Sequence, residues 1–204
     1  MKLGFSLLVL LSVFAITPSI HHTYAQTDNP DRNYLHYQNN DIGLSLEYPD
    51  DWIMVEDIPD VPFVARFWAP GNTGLISMDH VYRDIDLSPE KIAASQVKML
   101  ESKGRDLKII ESKSLLVSDY PAWQLTYSTS DHAGRELIES KVYITNDNSR
   151  YVFLYRAWDW FPDHLPVFDS MIDSVQINSI DVENYYDDSS ETSSSSLSSR
   201  IIPD

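Results

Sequence analysis

LSLEYPDDWIM, residues 44–54, carries an alternating strand straight into a proline, two acids and a tryptophan. Just upstream, Ile42 starts a series in which Ile42, Leu44, Leu46 and Tyr48 alternate with Gly43, Ser45 and Glu47. A period of two places every apolar side chain on one face, so a strand buried on one side is expected here. Pro49 has no N–H to offer a ladder and ends it. Asp50 and Asp51 favour a turn, because their short carboxylates bond nearby backbone amides. Trp52 is then expected to fold back as a lid over the open end of the core.

Working outward, the same punctuation recurs between residues 34 and 180. Strand-like runs occupy 63–68, 75–82 and 107–112, with a Pro-Gly-Asn-Thr-Gly turn at 70–74 between the first two. A meander of three strands is expected at 123–127, 137–145 and 151–157, with turns at 131–134 and 146–148. Two helices interrupt them. Ser88 suits an N-cap, Pro89 the first helical position, and Glu90 the positive helix start. Leu87 and Ile92 have the spacing of a hydrophobic staple, and Gly104 stops the helix. Its buried stripe is expected to run through Ile92, Gln96, Met99, Leu100 and Lys103. The second helix spans about 163–175, with Leu165, Phe168, Met171, Ile172 and Val175 on one side. Strands in runs with few helices indicate an α+β layered domain, and they do not alternate with helices as a βαβ nucleotide fold requires.

The ends differ in character. Met1-Lys2, the apolar run 5–16 and the Thr23-Tyr24-Ala25 site read as a signal peptide over residues 1–25. That run is too short to span a bilayer, which takes about 20 apolar residues. Residues 26–33 are a polar spacer, and 34–180 form the folded domain. Residues 181–204 hold a serine-rich acidic stretch with few core formers, expected as a disordered tail that folding does not need.

Composition narrows the function. With no cysteine there is no disulfide, thiolate metal site, cysteine nucleophile or lipidated lipoprotein start. A formal charge of −16 argues against nucleic acid and anionic lipid surfaces, and permits divalent cations or basic protein partners.

Taken in order, IGLSLEYPDDW, RFWAP, SPEKIAASQVKML, YPAWQLTYS, YVFLYRAW and LPVFDSMIDSVQI resemble the PsbP family, the lumenal extrinsic subunits of photosystem II and their prokaryotic relatives. The resemblance runs from Asp41 to Asn178. It implies an α/β/α sandwich around a twisted antiparallel sheet flanked by helices, a fold shared with Ran-binding nuclear-transport factors. It also implies a protein-binding stabiliser rather than an enzyme, with calcium as the one cofactor that the family suggests. The chain departs from the family in lacking a chloroplast transit peptide and a lipidated cysteine, and in its serine-rich tail. The reading is therefore a secreted, monomeric, non-photosynthetic relative that stabilises an extracytoplasmic protein complex, with a calcium or small-molecule carrier as the alternative and a hydrolase behind it.

Among candidate sites, His36, His80, His132 and His164 show no nucleophile-elbow context. Asp79 and His80 are adjacent on a strand, so they point to opposite faces and do not share one ion. Asp84 and Asp86 are candidate oxygen ligands for calcium, without EF-hand spacing. Glu136 and Glu139 resemble a carboxylate pair, but Lys141 two residues on favours a solvated face with a cross-strand ion pair. Trp158, Trp160 and Phe161, in AWDWFPD, are the candidate partner-binding residues; their alternative is packing against the closing helix.

Overall fold

The computed structural model describes residues 32–56, 63–82, 87–104, 106–130, 133–146, 149–161 and 163–178. The expected signal peptide and tail, together with Asp84, Asp86 and His132, lie outside the described residues. Strand β1 (Tyr34–Asn39) and strand β2 (Leu44–Pro49) form an antiparallel hairpin in which Tyr34 faces Pro49. Pro49 is tolerated as the last residue of its strand. Trp52 N then donates to Pro49 O at 3.1 Å, closing the turn that reverses the chain. Trp52 is only 4% exposed and its ring meets the His164 ring edge-on at 5.4 Å. It is the lid that the alternation into Pro49 leads one to expect.

Seven strands make the main sheet: β3 (Ile53–Glu56), β4 (Ala65–Trp68), β5 (Leu75–Tyr82), β6 (Leu107–Val117), β7 (Tyr120–Ser130), β8 (Glu136–Thr145) and β9 (Ser149–Trp158). Their order is β3-β4-β5-β9-β8-β7-β6, with every neighbour antiparallel. Helix α1 (Pro89–Ser102) lies over β6, β7 and β8. Ala93 and Leu100 pack there on Leu125, Tyr127 and Tyr143. The opposite face is covered by helix α2 (Leu165–Asp173) together with the small sheet, whose third strand is β10 (Gln176–Ile177) beside β2. Leu44, Leu46 and Tyr48 meet Phe67, Ile76, Met78, Phe153 and Phe168 in that main core. The architecture is the expected α+β sandwich, with the second outer layer built of a helix and a small sheet rather than of a helix alone.

Local chemistry explains most element ends. Ser88 Oγ accepts from Lys91 N at 3.4 Å and Pro89 opens α1, as the cap reading requires. The α1 stripe is turned by one residue from expectation. Met99 is 40% exposed, while Ala93, Val97 and Leu100 join Ile92 against the sheet. The small side chain of Ala93 gives the closest approach to the sheet, and that sets the rotation. Strand β6 continues five residues past 112, to Val117, because Ser118 and Asp119 adopt positive φ (50° and 67°) in a two-residue turn matched to strand twist.

Candidate functional site

Strands β8 and β9 position the aromatic cluster. Their register sets Leu137 opposite Trp158, and Asp159 N donates to Glu136 O at 3.1 Å just beyond it. The chain then turns, with Phe161 N donating to Trp158 O at 3.0 Å. This turn brings two indoles face to face: Trp158 and Trp160 lie 5.1 Å apart with planes 8° from parallel. Phe161 follows at 5.8 Å from Trp160. The Arg135 guanidinium sits 4.9 Å from the centre of the Trp158 ring. Trp160 is 52% exposed. Stacked indoles with a cation on one ring offer flat apolar area and a π face for a partner at small conformational cost.

The cluster stands beside the middle of a continuous row across the sheet. Ile53, Trp68, Leu75, Arg156, Glu139, Tyr127 and Ile109 are successive register partners and so share one face. Trp158 follows Arg156 by two residues on that same face. Helix α1 covers the β7–β8 end of the row and buries Glu139 and Tyr127, whereas Ile53 at the far edge is exposed. Among the described residues α1 contacts β6, β7 and β8, and beyond them Ile53 and Arg156 are exposed while Trp68 and Leu75 are half-buried.

Glu139 corrects one part of a sequence expectation and meets the other: it is buried rather than on a solvated face, and the expected cross-strand ion pair is made with Arg156 of β9. Arg156 Nη2 and Nε donate to Glu139 Oε1 at 2.5 and 2.7 Å, and Tyr127 Oη donates to Oε2 at 2.6 Å. A buried carboxylate needs such partners to remain charged. Burial and the Glu139 charge together push the Tyr127 hydroxyl up, and burial pushes the Lys141 ammonium down. This network fixes Arg156 beside the strands that α1 covers.

The other sequence candidates are placed apart. His80 points into the core side against Tyr82 (4.4 Å) and Tyr151 (4.6 Å), and burial lowers its pKa to about 4. Asp79 faces the α1 side, where burial raises its carboxyl despite Arg150. The two do not converge. His164 Nε2 lies 2.9 Å from Thr73 Oγ1, a hydroxyl–imidazole contact. The Thr73 hydroxyl hydrogen is given to Pro70 O at 2.9 Å, so Thr73 accepts from His164 and is not activated by it. The pair is a latch between α2 and the β4–β5 turn. Gly74 makes room for it, since a Cβ there would sit 2.9 Å from the imidazole. Among the described residues no group of three or more His, Asp or Glu is gathered as a metal site would need.

No protein-family model matches the sequence, and no curated protein matches it significantly. Solved structures do. Cyanobacterial PsbP (CyanoP) from Synechocystis aligns over 71% of this chain and 92% of its own length, with a TM-score of 0.55 and 16% identity. The Ran-binding protein Mog1p of Saccharomyces cerevisiae aligns over 72% and 96%, at TM-score 0.54 and 8% identity. LpqN of Mycobacterium tuberculosis, described as involved in cell envelope biogenesis, aligns over 73% and 92%, at 0.50 and 18%. At these identities the likeness is one of fold. The described chain has the PsbP-like α+β fold.

Proposed function

We propose that this chain is a secreted, non-catalytic binding module that stabilises an extracytoplasmic protein complex through the Trp158–Trp160–Phe161 stack. The observation carrying the reading is the parallel indole pair of Trp158 and Trp160, with Trp160 exposed at its outer side. Anchors of this kind dominate protein interfaces because they desolvate large areas with few rotatable bonds. The overall charge of −16 selects a partner with a basic surface and makes association faster at low salt. A Ran-binding protein among the structures of this fold supports a binding role, and the signal-like residues 1–25 support export. Among the described residues no helix is long and apolar enough to cross a membrane.

The test compares wild-type and Trp160→Ala protein as bait on the extracytoplasmic fraction of the producing cell. A defined complex retained by wild type and lost by Trp160→Ala, with unchanged thermal melts, is the expected result. Equal retention by both proteins removes the stack from the interface.

A further inference from the structure

We propose that two copies of this chain pair through the open edge of β6, as antiparallel strands related by a two-fold axis at Ser112, in place of the monomer expected from the sequence. This surface is separate from the tryptophan stack, which lies on β9 and just after it.

The edge is long and open. β6 has 11 residues, stands last in the main sheet and pairs only with β7 among the described strands. Residues 108 to 114 are exposed on both faces of the sheet. Leu116 beyond them is 72% exposed. Ser118 and Asp119, both at positive φ, make the two-residue turn, so the flanking Val117 and Tyr120 exchange their hydrogen bonds. By alternation Ser112, Ser114 and Leu116 turn their N–H and C=O groups to the open edge. Long edges with apolar side chains invite another strand.

The sequence of β6 is complementary to itself in one antiparallel register. A two-fold axis normal to the sheet keeps equivalent faces of both copies on the same side, and each contact then occurs twice. With that axis at Ser112, Ser112 exchanges both backbone bonds with its copy. Glu111 then lies opposite Lys113 of the second copy, and Lys113 opposite Glu111 of the second copy. Within one chain Lys113 Nζ already lies 3.0 Å from Glu111 Oε2. The four side chains thus form a rectangle in which each charge has two neighbours of opposite sign. With Ile110 left out of the ladder, as it is against β7, Ser114 meets Ile109, Leu115 meets Lys108 and Leu116 meets Leu107. Lys108 lays its apolar stem along Leu115. Moving the axis to Glu111 sets Glu111 against its own copy and Lys108 against Lys113. Moving it to Lys113 sets Lys113 against its own copy. Like charges directly opposite are destabilising, so charge selects the Ser112 register. A lysine on an edge strand ordinarily deters pairing; here Lys113 is answered by a glutamate of the copy.

Sedimentation equilibrium of the full chain over a concentration series tests this. The net charge of −16 on each copy is screened beyond about 8 Å at physiological salt, so the measurement is made there. Wild type is expected to pass from monomer to dimer as concentration rises, with β6 amides gaining protection from hydrogen exchange in step. Lys113→Glu and Glu111→Lys alter side chains that are 47% and 45% exposed. Each is expected to weaken the dimer about tenfold or more, with unchanged thermal melts. Mixed in equal amounts, the two variants are expected to recover the dimer as a heterodimer, because one then carries two acids on this stretch and the other two bases. The exchange variant Glu111→Lys, Lys113→Glu is expected to recover it alone. A wild type still monomeric at about 1 mM overturns the proposal. So does a dimer that both single variants leave intact, which places the contact elsewhere. Protection of β6 in the dilute monomer also overturns it and gives the edge to another part of the same chain.

Discussion

Trp52→Ala tests the lid most directly. The indole is 4% exposed and packed on His164, so nearly all of its side-chain area leaves water on folding. A buried tryptophan removes about 150–250 Å² from water. At about 25 cal/mol per Å² this is roughly 4–6 kcal/mol. One feature reduces that figure: Nε1 is buried with no hydrogen-bond partner among the described residues, a desolvation cost of about 1–3 kcal/mol. The substitution removes this penalty together with the ring. A net loss of roughly 1–5 kcal/mol follows, overlapping the range of large-to-small core changes. That is a large share of a stability of about 5–15 kcal/mol. Trp52→Phe separates the two terms, since it keeps most of the apolar volume and deletes the unpaired N–H; its cost should fall below about 1.5 kcal/mol. Urea titrations followed by far-UV circular dichroism give both values. An unchanged midpoint for Trp52→Ala would refute the lid and make the YPDDW turn a contact surface instead.

Arg156→Met should cost roughly 3 kcal/mol, because it leaves the Glu139 carboxylate buried with only the Tyr127 hydroxyl. Pairing it with Glu139→Leu should recover most of that loss in urea melts, whereas simple additivity would mean that the ion pair is uncoupled. His80 is neutral in the fold down to about pH 4 but takes a proton near 6.5 when unfolded. The unfolded chain binds more protons between those values, so stability should fall as pH drops from about 6.5 to about 4. His80→Phe should flatten that slope, and an equal slope in the variant would assign it to other groups. Burial raises Asp79 and Asp169, which pulls in the opposite direction at the acid end. N-terminal sequencing of exported protein should read Gln26-Thr27-Asp28; recovery of Met1 would remove the cleavage reading.

Elements with strong periodicity or strong punctuation were legible in the sequence. Strand β5 occupies its expected span to the residue, α1 sits on its expected cap and proline, and α2 falls within its expected span. Strands β1, β3 and β10 left little trace because they are short edge pieces: half of β1 and most of β3 is exposed, and β10 has only two residues. Strand β6 was read too short because KIIESKSLL is solvated on both sides, which leaves no alternation to see. Glu139 misled because the helix that buries it comes from residues 89–102, and no local pattern reports which strands a helix will cover. In the aromatic cluster, AWDWFPD announced the residue types. The parallel stack depends on a turn closed by Phe161 N, and Arg135 reaches Trp158 from the far side of a hairpin. Distant partners of this kind do not register in spacing.

The small sheet has a temporal consequence for synthesis. β2, from the first part of the chain, finds its second neighbour only in β10, and Glu47 N bonds Ser174 Oγ across 127 residues. A ribosome making the chain releases β1 and β2 long before α2 and β10 exist. Until then Leu44, Leu46 and Tyr48 lack part of their packing surface, so the hairpin alone gains little from staying folded. Contacts of such long range also make folding slow relative to helical chains of equal size. The nascent protein thus stays pliable until β10 emerges, and closure of the small sheet is postponed until then.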